Sequence, residues 1–209
     1  EAKIWFVADD EEWRGIEIES EVKCDVQYCV VKECETGFEV DGGNASFEYC
    51  YILTGQVYFR NEADFNITKS YFKRASIKCE TATKGNLAYS FFINYIDSTT
   101  YTIDINRSVI NLHNNCIIDL KKPIAVRYYS KVEIMHNYLN RCALGIYCEI
   151  SNEIKLFENT IENSNSECLR LNLHGTIIIK ENNFLNINNN TVILIDKTTF
   201  RNPHDMDAR

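Results

Sequence analysis

Four charged residues recur at nearly equal spacing: Glu80, Asp104, Arg127 and Glu149. Carboxylates brought within about 5 Å of one another can hold Ca²⁺ or push their pKa values apart for acid–base work. An arginine beside them can hold the carboxylate of an acidic sugar. The wider series reads Glu19, Asp41, Arg60, Glu80, Asp104, Arg127, Glu149, Asn172. Its alternation of sign also fits a solvated face on which opposite charges relieve repulsion. A second series reads Val30, Tyr51, Tyr71, Tyr95, Cys116, Tyr138, Thr160, Asn183. Tyr51, Tyr71, Tyr95 and Tyr138 would form an aromatic stripe on which the apolar faces of sugar rings can stack. The same stripe could simply stabilise stacked strands or lie beneath a loop or a neighbouring subunit. His136, Glu158 and Glu181 share a third series; one imidazole and two carboxylates can bind a metal, but an ordinary surface fits them better, and no metal site is expected.

These series have chemical meaning only if one repeating element brings their members together. Ile154–Ile161 is preceded at steps of 21 or 22 residues by Val132–Leu139, Ile110–Ile117 and Tyr89–Ile96. Further copies are Phe65–Phe72, Ala45–Ile52, Cys24–Val31 and Ile177–Phe184. The third position reads Val26, Phe47, Ile67, Phe91, Leu112, Ile134, Leu156, Ile179 and the eighth Val31, Ile52, Phe72, Ile96, Ile117, Leu139, Ile161, Phe184. Both are apolar throughout. Between them lies a polar column: Cys29, Cys50, Ser70, Asn94, Asn115, Asn137, Asn159, Asn182. In a stacked turn, Asn94, Asn115, Asn137, Asn159 and Asn182 can bond the copies above and below, so each amide is satisfied although buried.

A second strand recurs with the same period, from Gly15–Ile18 and Gly37–Val40 through Tyr101–Ile103 to Leu169–Leu171, alternating apolar and other residues. Helical heptads do not fit. Short strands, like residues in register and a period of about 22 residues predict an all-β chain, a right-handed parallel β-helix of about eight rungs. One domain, 1–209, is expected: residues 1–12 form a partial rung or N-terminal edge, 13–196 the repeats and 197–209 a polar tail.

The string Trp13-Arg14-Gly15-Ile16, followed by these copies, resembles the parallel β-helix repeat proteins of microbial cell surfaces, within the wider pectin-lyase-like group. The resemblance implies the fold. It leaves activity open, because the group holds lyases, hydrolases, adhesins and structural rods. Motifs of the polygalacturonase-like enzymes are poorly matched: Asp9-Asp10 precedes the first full rung, and Leu173-His174-Gly175 is a partial match.

A net charge of −8 disfavours nucleic acid and anionic membranes as partners, and no apolar run is long enough to span a bilayer. Nine cysteines, an odd number without a Cys-x-x-Cys motif, read mostly as buried apolar fillers; Cys29 and Cys50 could be bridged between rungs. The chain starts at Glu1, which suggests a processed product or an excised piece. Four sequons, at Asn44, Asn66, Asn106 and Asn189, against about two or three expected by chance among 23 asparagines, are no evidence for secretion.

The expectation is an extracellular or cell-surface structural or adhesive rod. It would assemble with copies of itself, or with flanking repeats, through open ends, and could contact glycan. No cofactor is expected, although the acidic column could take Ca²⁺. The alternative is a polysaccharide lyase or glycoside hydrolase acting through Glu80, Asp104, Arg127 and Glu149. An intracellular protein-binding scaffold is a third possibility.

Overall fold

The computed structural model describes residues 4–7, 14–19, 23–81, 83–93, 100–150, 153–172, 175–185 and 191–195. Trp13, Asn94, Tyr95 and the tail beyond residue 195 lie outside the described residues. Among the described residues, twenty-six short strands form three parallel sheets. Sheet I has nine strands, among them Cys29–Lys32, Tyr51–Ile52, Tyr71–Lys73, Phe91–Ile93 and Tyr138–Asn140. Sheet II has nine, including Gly55–Arg60, Ala75–Cys79, Ile103–Asn106, Ile124–Arg127 and Ile146–Glu149. Sheet III has eight, from Lys23–Gln27 to Thr176–Lys180. The chain visits II, III and I in turn, and every strand pairs with the equivalent strand one coil away. This is a parallel β-solenoid with a repeat of about 22 residues.

Alternation explains the strands. In sheet II the inward column Phe38, Val57, Ile77, Ile103, Ile124, Ile146, Leu169 is buried throughout. Inside, like stacks on like: the Phe72 and Phe92 rings lie 4.5 Å apart and nearly parallel, and those of Phe59 and Phe65 lie 4.1 Å apart. Gly85 stands opposite Phe65 because a Cβ there would meet the ring at 2.2 Å.

The corner from sheet III into sheet I is the most regular. Its first residue has positive φ in eight coils: Tyr28, Tyr49, Lys69, Tyr89, Asn114, His136, Glu158 and Glu181. The left-handed conformation costs a non-glycine residue about 1 kcal/mol. In seven of these coils, Tyr28 to Glu158, it turns the backbone N–H onto a carbonyl of the next coil, as in Tyr28 N to Glu48 O at 3.1 Å and His136 N to Phe157 O at 3.1 Å.

The next residue forms the predicted polar ladder, with one correction. The column is Cys29, Cys50, Ser70, Ser90, Asn115, Asn137, Asn159, Asn182; Ser90 holds the place expected for Asn94. The backbone N–H of Ser70 donates to Ser90 Oγ at 3.2 Å, and that of Ser90 to Asn115 Oδ1 at 3.0 Å. The fourth copy therefore begins four residues earlier than the sequence suggests. Leu87, not Phe91, occupies its inward third position, and Phe92, not Ile96, its eighth. The extra residues lie between Phe91–Ile93 and Ile103–Asn106, at the corner entering sheet II.

A second ladder, unforeseen in the sequence, lies where sheet II turns into sheet III. Thr83, Ser108 and Ser130 are buried there. Thr83 Oγ1 donates to Glu80 O at 2.8 Å, Ser108 Oγ to Asn106 O at 2.8 Å, and Ser130 Oγ to Arg127 O at 2.5 Å. Each immediately precedes a sheet III strand, a place held in earlier coils by Gly43 and Ala63. That run of small residues was the available signal.

Candidate functional site

The outer face of sheet II carries ion pairs that run from rung to rung. It carries two outward columns, and the expected single acidic column mixes them. Register pairs Ile77 with Ile103, so Asp104 lies beside Lys78 and Ala125. Asn106 pairs with Arg127, which in turn pairs with Glu149. Asp104 is thus displaced by two residues from the column of Arg60, Arg127, Glu149 and Asn172, and Glu80, Asp104, Arg127 and Glu149 do not stand in one file. A two-residue shift preserves alternation, so inward–outward parity did not reveal it.

The displacement changes the chemistry. Arg127 Nη2 contacts Asp104 Oδ2 at 3.3 Å across neighbouring rungs. One coil earlier, Glu80 accepts from Tyr58 Oη at 2.5 Å and pairs with Lys78 at 3.0 Å. Arg60 pairs with both Glu39 and Asp41 at 2.9 Å. The two carboxyl groups nearest the centre are tuned in opposite directions. Burial pushes Asp104 above the usual carboxylate range, with Arg127 and Lys78 opposing and Glu80 reinforcing. Burial also acts to raise Glu80, but hydrogen bonds from Tyr58 and Lys78 outweigh it and hold that carboxyl low. Burial, and then the Glu80 hydrogen bond, push the Tyr58 phenol up to about 12.

Beside this lattice, Tyr101, Arg127, Tyr147, Glu149, Arg170 and Asn172 line a shallow pocket of about 350 Å³. Tyr101, Tyr147 and Arg170 are members that no sequence motif marked. Tyr101 precedes its strand, and its ring lies nearly parallel to that of Tyr147 with centroids 5.7 Å apart. Ala125 makes this possible: it sits in the outward column between Asp104 and Tyr147, yet is fully buried. The Arg127 guanidinium lies 4.8 Å and the Lys122 ammonium 5.4 Å from the Tyr101 ring centre. Arg170 Nη2 bridges both Glu167 oxygens at 2.8 and 2.9 Å.

The aromatic stripe lies on sheet I and is also corrected. Phe91 follows Tyr51 and Tyr71 and pairs with Cys116, so it takes the place expected for Tyr95. Tyr51 and Tyr71 ring centres are 5.7 Å apart, as are those of Tyr71 and Phe91, which stack nearly parallel. Tyr138 keeps its predicted place; its hydroxyl donates to Glu162 Oε1 and accepts from Asn140 Nδ2 at 2.8 Å. His136 and Glu158 pair at 2.6 Å on the exposed ridge, and no metal-binding group of three such side chains occurs among the described residues. All nine cysteines are free thiols.

The sequence profile described as the right-handed β-helix region matches residues 12–184. The chain belongs to the right-handed β-helix family. This sets the hand of the coil and agrees with the three stacked sheets. No curated protein and no solved structure matches the chain. Membership in the β-helix family carries no particular activity, so function must be argued from the surface. No helix among the described residues is long and apolar enough to cross a membrane.

Proposed function

We propose that this β-helix is a non-enzymatic structural or adhesive rod, working outside the cell or at its surface and stacking with copies of itself end to end. The last described coil carries the reading. Ile193 and Ile195 continue the inward column of Leu169 and Leu171, yet are 38% and 40% exposed, whereas Leu169 and Leu171 are buried. Ile177, Ile179 and Phe184 are likewise only partly buried. Among the described residues, the strands Thr176–Lys180, Asn183–Leu185 and Ile193–Ile195 each have one hydrogen-bonded neighbour. An apolar floor framed by strand edges that no described residue pairs suits another coil of the same design. The side faces support a structural role, because their charges are tied from rung to rung. The surface location rests on the resemblance to microbial surface rods.

Sedimentation velocity over a concentration series, with electron microscopy, tests the assembly. The expected result is linear particles that lengthen with concentration and shorten in Ile195→Lys. Monodisperse protomers at every concentration overturn it. Hydrogen exchange of the central coils checks that Ile195→Lys remains folded.

One observation favours the lyase or hydrolase reading: Asp104 and Glu80 have carboxyl groups tuned apart, as acid–base pairs require. Turnover of an acidic polysaccharide that disappears in Asp104→Asn, with the fold intact, would establish that activity in place of the purely structural role.

A further inference from the structure

The polar ladder at the corner into sheet I is built from asparagine in its later coils, from serine at Ser70 and Ser90, and from two successive cysteines at its start, Cys29 and Cys50. Val30 pairs with Tyr51 in parallel register, so the two cysteines stand immediately before paired residues, one strand spacing of about 4.8 Å apart. That spacing lies within the roughly 4.4–6.8 Å between Cα atoms that a disulfide spans. Both side chains are buried. The Cys29 thiol donates a hydrogen bond to the Cys50 sulfur, and so does the Cys29 backbone N–H; the two sulfurs are in contact. No other two of the nine cysteines meet in this way. Cys24 pairs with Ala45, Cys79 with Ile105 and Cys148 with Leu171. Cys142 and Cys168 share a corner but are out of step, because Asn165 N bonds Cys142 O and Gly145 lies against Cys168.

We infer that Cys29 and Cys50 are a redox modification site: a dithiol that a small-molecule disulfide, such as glutathione disulfide, converts into a single cross-rung disulfide that bolts the first coils together. Cys50 is the attacking thiol. The hydrogen bond from the Cys29 thiol, helped by the Cys29 N–H, holds its pKa below the ordinary thiol value although burial opposes this. The same contact, with burial, pushes Cys29 up. The Cys50 thiolate attacks one sulfur of glutathione disulfide, forms a mixed disulfide and releases one glutathione thiolate. Cys29 then gives its proton to solvent, attacks the Cys50 sulfur and expels the second glutathione thiolate. Two protein thiols are oxidised to one disulfide with loss of two hydrogens, and one glutathione disulfide is reduced to two thiols. Because both sulfurs are buried, exchange waits on local opening of these coils. Once made, the bridge closes a loop of about 21 residues and removes chain entropy from the opened state. A reducing couple restores the dithiol, in which the ladder stands as described above. The inference rests neither on end-to-end stacking nor on a surface location; it needs only an oxidising thiol–disulfide couple.

The test is incubation of the full folded chain with excess glutathione disulfide, and then with excess glutathione, each followed by denaturing alkylation and mass spectrometry of the intact chain and its peptides. The oxidised chain should lose two hydrogens, keep seven of its nine thiols open to alkylation and yield one linked peptide pair, Cys29 to Cys50, which glutathione reverses. Amide exchange over residues 24–52 should slow by about tenfold on oxidation. Cys29→Ser and Cys50→Ser should each abolish the link and the slowing yet stay folded, since serine already serves this ladder: the Cys50 N–H donates to Ser70 Oγ at 3.1 Å. Nine thiols still open to alkylation, arrest at a glutathione adduct, a predominant link between other cysteines, or unchanged exchange over residues 24–52 in the oxidised chain would each overturn the inference.

Discussion

Replacing Asn137 by alanine removes one step of the buried ladder, and the structure allows the cost to be worked through. Asn137 is 2% exposed. Its Oδ1 accepts from the backbone N–H and the Nδ2 of Asn115, both at 3.0 Å. Its Nδ2 donates to Leu112 O at 2.9 Å, and to Met135 O and Asn159 Oδ1 at 3.0 Å. Most of these partners keep another bond: Asn115 Nδ2 still reaches Leu87 O at 2.8 Å, Met135 O still accepts from Asn114 N, and Asn159 Oδ1 from Asn137 N. The Asn115 backbone N–H loses its acceptor inside the protein. A buried orphan donor costs about 1–3 kcal/mol and each lost bond about 1 kcal/mol net, so Asn137→Ala should cost about 3 kcal/mol. Asn137→Ser should recover about half, because Ser90 shows what serine does here: its Oγ accepts the preceding ladder N–H at 3.2 Å and donates to Ala88 O at 3.0 Å. Urea unfolding gives both values, and hydrogen exchange should show lost protection at the Asn115 amide. An alanine variant within 0.5 kcal/mol of wild type, or a serine variant no better than alanine, would refute a ladder that works through backbone satisfaction.

Two further perturbations probe the coil corner and the charge lattice. At Gly145 an added Cβ would lie 1.9 Å from Cys168 O, a carbonyl fixed by the N–H of Ile146 at 2.9 Å, so Gly145→Ala should cost about 3 kcal/mol or more. At Gly37 the nearest atoms stand 3.4 Å away, so Gly37→Ala should cost under about 1 kcal/mol, and thermal unfolding of the pair distinguishes them. Arg127→Met leaves the Asp104 carboxylate half-buried without its 3.3 Å partner and should cost about 2 kcal/mol at neutral pH. Asp104 already has a raised folded-state pKa, so its contribution is full below the ordinary carboxylate range and is lost as pH rises through the raised value. Removing Arg127 raises that value further; the deficit relative to wild type should therefore shrink on acidification, as urea unfolding at two pH values will show.

The fold was legible because its demands recur. Every coil must bury the same two columns and satisfy the same turn, so Phe47, Ile67, Leu112 and Ile134 announce the inner face, and Asn115, Asn137, Asn159 and Asn182 the ladder. Legibility failed at the coil with the long connection between Ile93 and Ile103. The inserted residues could be placed before or after Phe91–Ile93 without changing parity. The ladder arbitrates: Ser90 continues Ser70, with a similar pair of bonds, whereas placing Asn94 there would move Leu87 from the inward third position, where it is fully buried, to the tight corner place held in other coils by Ala63 and Ser108.

The surface chemistry was less legible because it depends on register rather than on alternation. An even slip leaves each side chain on its own side of the sheet but changes its neighbours. With Asp104 placed beside Glu80 and Arg127 in one file, the face reads as an acidic cluster fit for Ca²⁺ or for a carboxyl pair. In the observed register Asp104 faces Lys78 and Ala125 along its column and reaches Arg127 on the diagonal, and Ala125 makes room for Tyr101 beside Tyr147. The same residues then become a lattice of ion pairs next to an aromatic pocket. Two residues of slip separate a catalytic reading of this face from a structural one, and the slip was set by an insertion at a corner rather than by any residue of the face itself.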